Sequence, residues 1–324
     1  MKTFYAQLAI PLLVPLTACS GLDLAETDAW ESPLHQEHAL TGTIWRVEPL
    51  ERIDEQYLLS QMLRSRFILL GEKHDNPDHH RLQRSILQRL EASGSLELVS
   101  FEMLDQSQQA ALDTVSVADH GTDEALRAHL QWDDTGWDWS FYGPMLRDML
   151  RSRVLLRAGN ISPEQMLTVY GGGPLPAVDG VLNADQLAQL TREIDESHCG
   201  MLPSSQFESM VRVQQARDAS MAGSLLVENA AVAVTANASQ RVLITGNYHA
   251  RRDLGVPNYL LGQGDVLSLG ILEVDPESVD PLDYVQAFSA TLPYDYVWFT
   301  PAVAAEDYCA ALRGGREQTA NALP

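Results

Sequence analysis

The chain has 324 residues, 45% of them hydrophobic and 20% charged, which is enough apolar content for a large buried core and excludes wholesale disorder, collagen and coiled coil. Twenty-two basic against 44 acidic residues leave a formal charge of −22. No Lys/Arg stripe stands out against that field, so no nucleic-acid partner is expected.

The N-terminus carries Lys2, then an apolar stretch from Leu8 to Leu16, too short for a bilayer-spanning helix, which needs about 20 apolar residues. It reads as the core of a signal peptide, residues 1–18. Leu16-Thr17-Ala18-Cys19 is similar to a bacterial lipobox, which implies acylation of Cys19, palmitate-type chains in the envelope membrane and, with Ser20 rather than aspartate next, outer-membrane retention. Residues 19–51 lack clean periodicity and read as a tether. A single domain is expected over 52–313, with a flexible tail over 314–324.

Tyr57, Leu58, Met62 and Leu63 stand at helical spacing. Phe67–Leu70 is an apolar run stopping at Gly71, a buried strand. Asn76-Pro77 opens a helix with Asn as cap and Pro at the first position. Its apolar face is Leu82, Ile86, Leu87 and Leu90, and Gly94 ends it. Leu96–Phe101 is a second strand, followed by helical stretches over 106–115 and 122–130, an aromatic loop over 132–142 and a helix to about 150. Val154–Leu156, Arg241–Thr245, Val266–Val274 and Tyr296–Phe299 complete the strands. Residues 170–179 form a Gly/Pro loop, and a long helix begins near Ser204. Strands that are near-continuous apolar runs alternating with helices predict an α/β fold, a mostly parallel central sheet with helices on both faces.

One pattern occurs twice. Strand Phe67–Leu70 ends in Gly71-Glu72-Lys73-His74, and strand Val242–Thr245 ends in Gly246-Asn247-Tyr248-His249. In open α/β sheets, groups beyond the carboxyl ends of strands converge on one crevice. Glu102 follows a strand too, so Glu72, His74, Glu102 and His249 form a candidate cluster. Two imidazoles and two carboxylates suit a divalent transition metal, or acid/base work with Glu72 and Glu102 as catalytic carboxylates of a hydrolase. Alternatively, both histidines are turn and cap residues. His79 and His80 lie in the first helical turn after Asn76-Pro77, where exposed N–H groups favour an anion such as a porphyrin propionate, and Arg251 offers the same anion a bidentate partner. The bland alternatives are solvent-facing histidines and a surface ion pair to Asp253. Three of six tryptophans fall within Trp132–Trp139; such flat walls suit a planar ligand, and Tyr142 is a candidate haem-iron ligand, or else a loop aromatic on the core. Cys199 and Cys309 either bridge or stand as separate thiols, since spacing reports no proximity.

Gly71–Gln83 (GEKHDNPDHHRLQ), Phe101–Met103, the spacing of Trp132, Trp137 and Tyr142, Gln214–Ala222 (QQARDASMA) and Gly246–Leu260 (GNYHARRDLGVPNYL) together resemble the ChaN-like haem-binding lipoprotein family. That family shares a superfamily with Tiki and TraB proteins and erythromycin esterases. The resemblance spans about residues 57–300. It implies a lipid-anchored haem-binding protein in haem-iron acquisition at the outer membrane, with haem held across a homodimer interface. The wider superfamily implies instead a metal-dependent peptidase or esterase, matched here by Glu72, His74, Glu102 and His249. Tyr248 stands where the family commonly has a small residue, and so either adds a ligand or fills space.

Overall fold

The computed structural model describes residues 29–116, 120–174, 178, 180–227, 240–285, 291–305 and 309–310. The signal peptide, the lipobox with Cys19 and the tail over 314–324 lie outside the described residues. Eight strands form one sheet in the order β2-β1-β8-β7-β3-β6-β4-β5, with β1 Ile44–Arg46, β2 Glu51–Ile53, β3 Phe67–Glu72, β4 Leu96–Asp105, β5 Leu155–Asn160, β6 Gln240–Gly246, β7 Val266–Glu273 and β8 Tyr296–Thr300. The helices are α1 Glu55–Met62, α2 Pro77–Ala92, α3 Gln109–Thr114, α4 Asp123–Leu130, α5 Trp139–Arg151, α6 Pro163–Tyr170, α7 Ala184–Ser197, α8 Phe207–Leu225 and α9 Asn247–Ala250. The six strands β3 to β8 run parallel. Among the described residues only β1, paired with β8, and β2, paired with β1, are antiparallel.

The expected α/β architecture is the observed one. Its physical basis is legible in β3, where every residue is buried. Ile68 and Leu70 face one core, with Leu82, Ile86 and Leu90 of α2. Phe67 and Leu69 face the other, with Met221 and Leu225 of α8. A strand covered on both sides needs apolar residues at both parities. Between β3 and α2 the chain turns as the sequence dictates. Asn76 Oδ1 accepts from the Asp78 and His79 amides, and Pro77 occupies the first helical position, where no amide is needed.

Three differences bear on the site. The expected tether is, from residue 29 onward, part of the folded body: β1 extends the sheet, and Leu34 bridges Ala302. Three-residue antiparallel strands at a sheet edge are too short to show an alternating pattern. The aromatic loop ends early, because Asp138 caps α5 through the Ser140 amide, placing Tyr142 within a helix. Helix α7 has no counterpart among the expected elements; it carries a satellite apolar cluster of its own, Leu182, Leu190 and Ile194, apart from the two main cores. Cys199, just past the end of α7, is bridged to Cys309 across 110 residues of sequence. Among the described residues no helix is long and apolar enough to cross a membrane.

Candidate functional site

The chain goes outward from β3 to β4 and β5, then returns to insert β6 between β3 and β4. Beside that reversal Glu72 pairs with Gly246 across neighbouring parallel strands. The two Gly-x-x-His turns therefore leave the sheet side by side, and Glu72, His74, Glu102 and His249 line one crevice of about 720 Å³, where a switch point in an open sheet places it. Close backbone approach is needed here: a Cβ on Gly246 would come within 2.9 Å of His74 Nε2. Glu102 is not beyond its strand as expected but inside β4, where register slips between Phe101 and Asp105. It still reaches the crevice.

Both carboxylates are buried and hydrogen-bonded. Glu72 Oε1 accepts from Tyr142 Oη at 2.5 Å and from His74 Nδ1 at 2.9 Å. Its Oε2 lies 3.2 Å from His80 Nδ1. Burial pushes the Glu72 carboxyl up, but His80 and His74 pull it well below the usual carboxylate range. Glu102 Oε2 accepts from Thr245 Oγ1 at 2.6 Å and from the Gly246 amide at 2.8 Å, while Oε1 is bonded by Arg217. Burial opposes its ionisation too, yet His249 and Arg217 lower it to about 2. His249 Nδ1 lies 2.6 Å from Asp218 Oδ1, with Gln214 Nε2 3.1 Å away, and its Nε2 is 3.5 Å from Glu102 Oε1. Burial raises the pKa of Asp218, despite the nearby imidazole. For His74, burial depresses the imidazole but Glu72 and Glu102 outweigh it and raise it.

The four expected residues thus meet, but not as a chelate. Among the described residues no group of three or more His, Cys, Asp or Glu is arranged to hold a metal ion. Three of the four carboxylate oxygens already serve Tyr142, Arg217, Thr245 and Gly246, and Glu72 Oε2 faces His80 Nδ1, so the set is a hydrogen-bonded network rather than a metal cage. What it offers chemically is two imidazoles oriented by carboxylates, Glu72 behind His74 and Asp218 behind His249, on one wall.

The residues expected to hold haem fare differently. Tyr142 is 1% exposed, its hydroxyl committed to Glu72. His79 is fully buried; its Nδ1 accepts from the Lys73 amide at 2.8 Å and its Nε2 pairs with Thr300 Oγ1 at 2.8 Å. Burial holds it neutral, its pKa lowered to about 3. His80 is buried, stacked on Phe141, with Nε2 on the His74 carbonyl at 3.0 Å. These three position the turn that carries His74 and do not open onto the crevice. Nor is the start of α2 a free anion site: Asn76 and the buried Asp78 fill it. Arg251 does line the crevice, already paired to Asp253 and, at 2.9 Å, to Glu193 of α7.

Other residues the structure brings in are Trp137, edge-on to His74 at 4.9 Å between ring centroids, and Gln214, Arg217 and Asp218 of α8. The signal for the last group was present: Gln214 and Asp218 fall on the apolar stripe of their helix, and polar groups there must find buried partners. Tyr248, 57% exposed, lies on the crevice rim; Tyr284 and Tyr294 also line the crevice, with their hydroxyls bonded to the Ser278 and Asn247 carbonyls.

A family model described as "Haem-binding uptake, Tiki superfamily, ChaN" matches residues 58–260, more than half of the chain. No match is found among curated proteins. Among solved structures, one described as cofacial heme binding to ChaN of Campylobacter jejuni is similar at 22% identity and TM-score 0.64, over 79% of this chain and 95% of that one. An erythromycin esterase mutant, EreC, in its open conformation is similar at 12% identity over 79% of this chain and 95% of that one; its TM-score of 0.44 carries no further weight.

Proposed function

From the premise that this chain belongs to the haem-binding uptake family of ChaN, in the Tiki superfamily, we propose that its crevice binds haem for haem-iron acquisition, on a protein lipid-anchored through Cys19 at the outer membrane. The observation that carries the reading is Tyr248, an exposed phenol at the mouth of a crevice whose volume lies within the range of cofactor sites. Phenolate is a natural ligand of ferric iron, and Trp137, Leu190 and Ile194 supply apolar wall for a macrocycle. Lys73, Arg217 and Arg251 stand on the same wall for propionates, each in exchange for a present carboxylate partner. The donor set therefore fits the group, with Tyr248 replacing Tyr142, His79 and His80 as the residue placed to reach it. Haem shared between two copies is the dimeric form of this reading, checked by sedimentation with and without hemin. The metal-dependent hydrolase reading gains no support: among the described residues no three His, Cys, Asp or Glu side chains are arranged to hold a metal ion.

The test is a hemin titration of the full chain and of Tyr248→Phe. A saturable Soret band, weakened at least roughly tenfold in the variant, is expected. Wild-type protein taking up hemin no better than an unrelated acidic protein refutes the reading.

A further inference from the structure

The described chain begins at Ala29, and its first residues are pinned at a defined place. The Ser32 amide donates to Asp78 Oδ2 at 2.9 Å, Ser32 Oγ to Asn76 Oδ1 at 3.0 Å, and the Glu31 amide to Asp78 Oδ1 at 3.2 Å. The Arg81 guanidinium lies over the Trp30 ring, 5.1 Å from its centroid. Ser32, Asn76 and Asp78 are all buried, so this is a fixed attachment. Asn76 lies two residues beyond His74. Leu34 then bridges Ala302, just past the carboxyl end of β8. The chain thus enters the fold at the same sheet edge that carries the crevice.

We propose that the partner of this edge is the lipid bilayer: the anchored domain is held with its crevice in the membrane-facing half of the molecule. The inference rests on acylation of Cys19. Ten residue steps separate Cys19 from Ala29, a leash of at most about 35 Å when fully extended. A globular body of this size has a radius of about 24 Å. Turning the domain over, crevice away from the lipid, requires the leash to pass around the body, a path of about 60 Å on that radius. A tilt of up to a quarter turn needs only about 24 Å, the radius itself, and is allowed. That tilt also lets two anchored copies bring their crevices face to face. The leash, not adhesion, sets the orientation, since the edge loop after β7 carries Asp275, Glu277, Asp280 and Asp283 and has no affinity for an anionic surface. A ligand that partitions into lipid would then enter the crevice from the bilayer side.

The experiment uses the full acylated chain in phosphatidylcholine vesicles containing an acceptor-labelled lipid. One donor dye goes on Val279→Cys, at the crevice edge and 67% exposed; another goes on Ala92→Cys, at the opposite edge. The edges are separated by the 16 residues of α2, about 24 Å. Transfer from position 279 is expected to exceed that from position 92 by roughly twofold or more on that separation. Inserting about 20 flexible residues after Ser20, which adds reach of up to about 70 Å, should abolish the difference. Equal transfer from both positions with the natural leash, in protein shown by mass to be acylated, overturns the orientation alone. Absence of acylation in a chain exported with its own leader overturns the anchor, and the orientation with it.

Discussion

Glu102→Gln tests the electrostatics of the crevice floor. Glu102 is buried, accepts from Thr245 and Gly246, and faces Arg217 and His249. In an unfolded chain its carboxyl titrates near the ordinary 4.5; folded, burial is outweighed by His249 and Arg217 and it titrates at about 2. That difference is worth about 3 kcal/mol of folding stability at neutral pH. The sign follows from the direction. A depressed carboxyl stabilises fully above its unfolded pKa, and the contribution disappears as pH falls from about 4.5 through about 2. The amide keeps the shape without the charge, leaving Arg217 and His249 with less compensation. Denaturant unfolding at pH 7 should therefore show the variant about 3 kcal/mol less stable, or melting roughly 5–10 °C lower. The gap should narrow progressively below pH 4.5 as the wild-type protein loses the same charge. A variant as stable as wild type at pH 7, or a gap that holds its size down to about pH 2.5, refutes the assignment of Glu102 as an ionised network member.

Other substitutions separate the roles of neighbouring residues. Tyr142→Phe removes the hydroxyl on Glu72 and should cost about 1.5–3 kcal/mol in unfolding experiments, while hemin affinity stays within about threefold of wild type, less than the energy of one lost hydrogen bond. Gly246→Ala keeps an allowed backbone, with φ −63° and ψ 152°, but places a methyl against His74. Its expected signature is a shifted His74 imidazole resonance with a stability loss of no more than about 1–3 kcal/mol. Asn76→Ala removes the α2 cap together with bonds to Ser32, Glu273 and Pro301, so thermal unfolding should show at least about 2 kcal/mol of destabilisation. Cys199→Ser opens a 110-residue loop and should lower stability by about 3–5 kcal/mol, with proteolysis beginning near α7.

The strands and the crevice were legible because they rest on local rules. A strand segment buried on both faces must be apolar at successive positions, and Phe67–Leu70 of β3 and Val242–Ile244 of β6 are. A glycine ending such a strand marks a turn at the carboxyl edge, and parallel pairing of β3 with β6 then makes the meeting of His74 and His249 a matter of register. The cysteine bridge was open to either answer, since only tertiary structure brings residues 110 apart together. The edge strands were not legible, and α7 was passed over. Strands β1 and β2 take their conformation from β8, whereas α7 did leave a signal, the Asn183–Gln186 capping box followed by Leu187, Leu190 and Ile194 at helical spacing, which the Gly/Pro-rich segment before it masked.

The histidines show where such reading stops. His74, His79 and His80 fall within seven residues of sequence, and pattern alone makes each a candidate ligand. What separates them is the direction each leaves the turn. Asn76 and Pro77 fix the start of α2, and the helix then carries His79 and His80 inward, where the Lys73 amide and Thr300 satisfy His79 while His80 bonds the His74 carbonyl and faces Glu72. His74, still in the turn, is left with a side chain 41% exposed over the crevice. A neutral His79 that accepts from the Lys73 amide is the strut for that turn, so the two buried imidazoles are the reason the third can face a ligand. The same logic picks Tyr248 over Tyr142. Tyr142 lies on the inward face of α5, whereas Tyr248 lies one residue before His249 in a short turn whose other side is solvent. An exposed phenol there is not required by packing, and that is the physical ground for proposing it as the residue that meets the ligand.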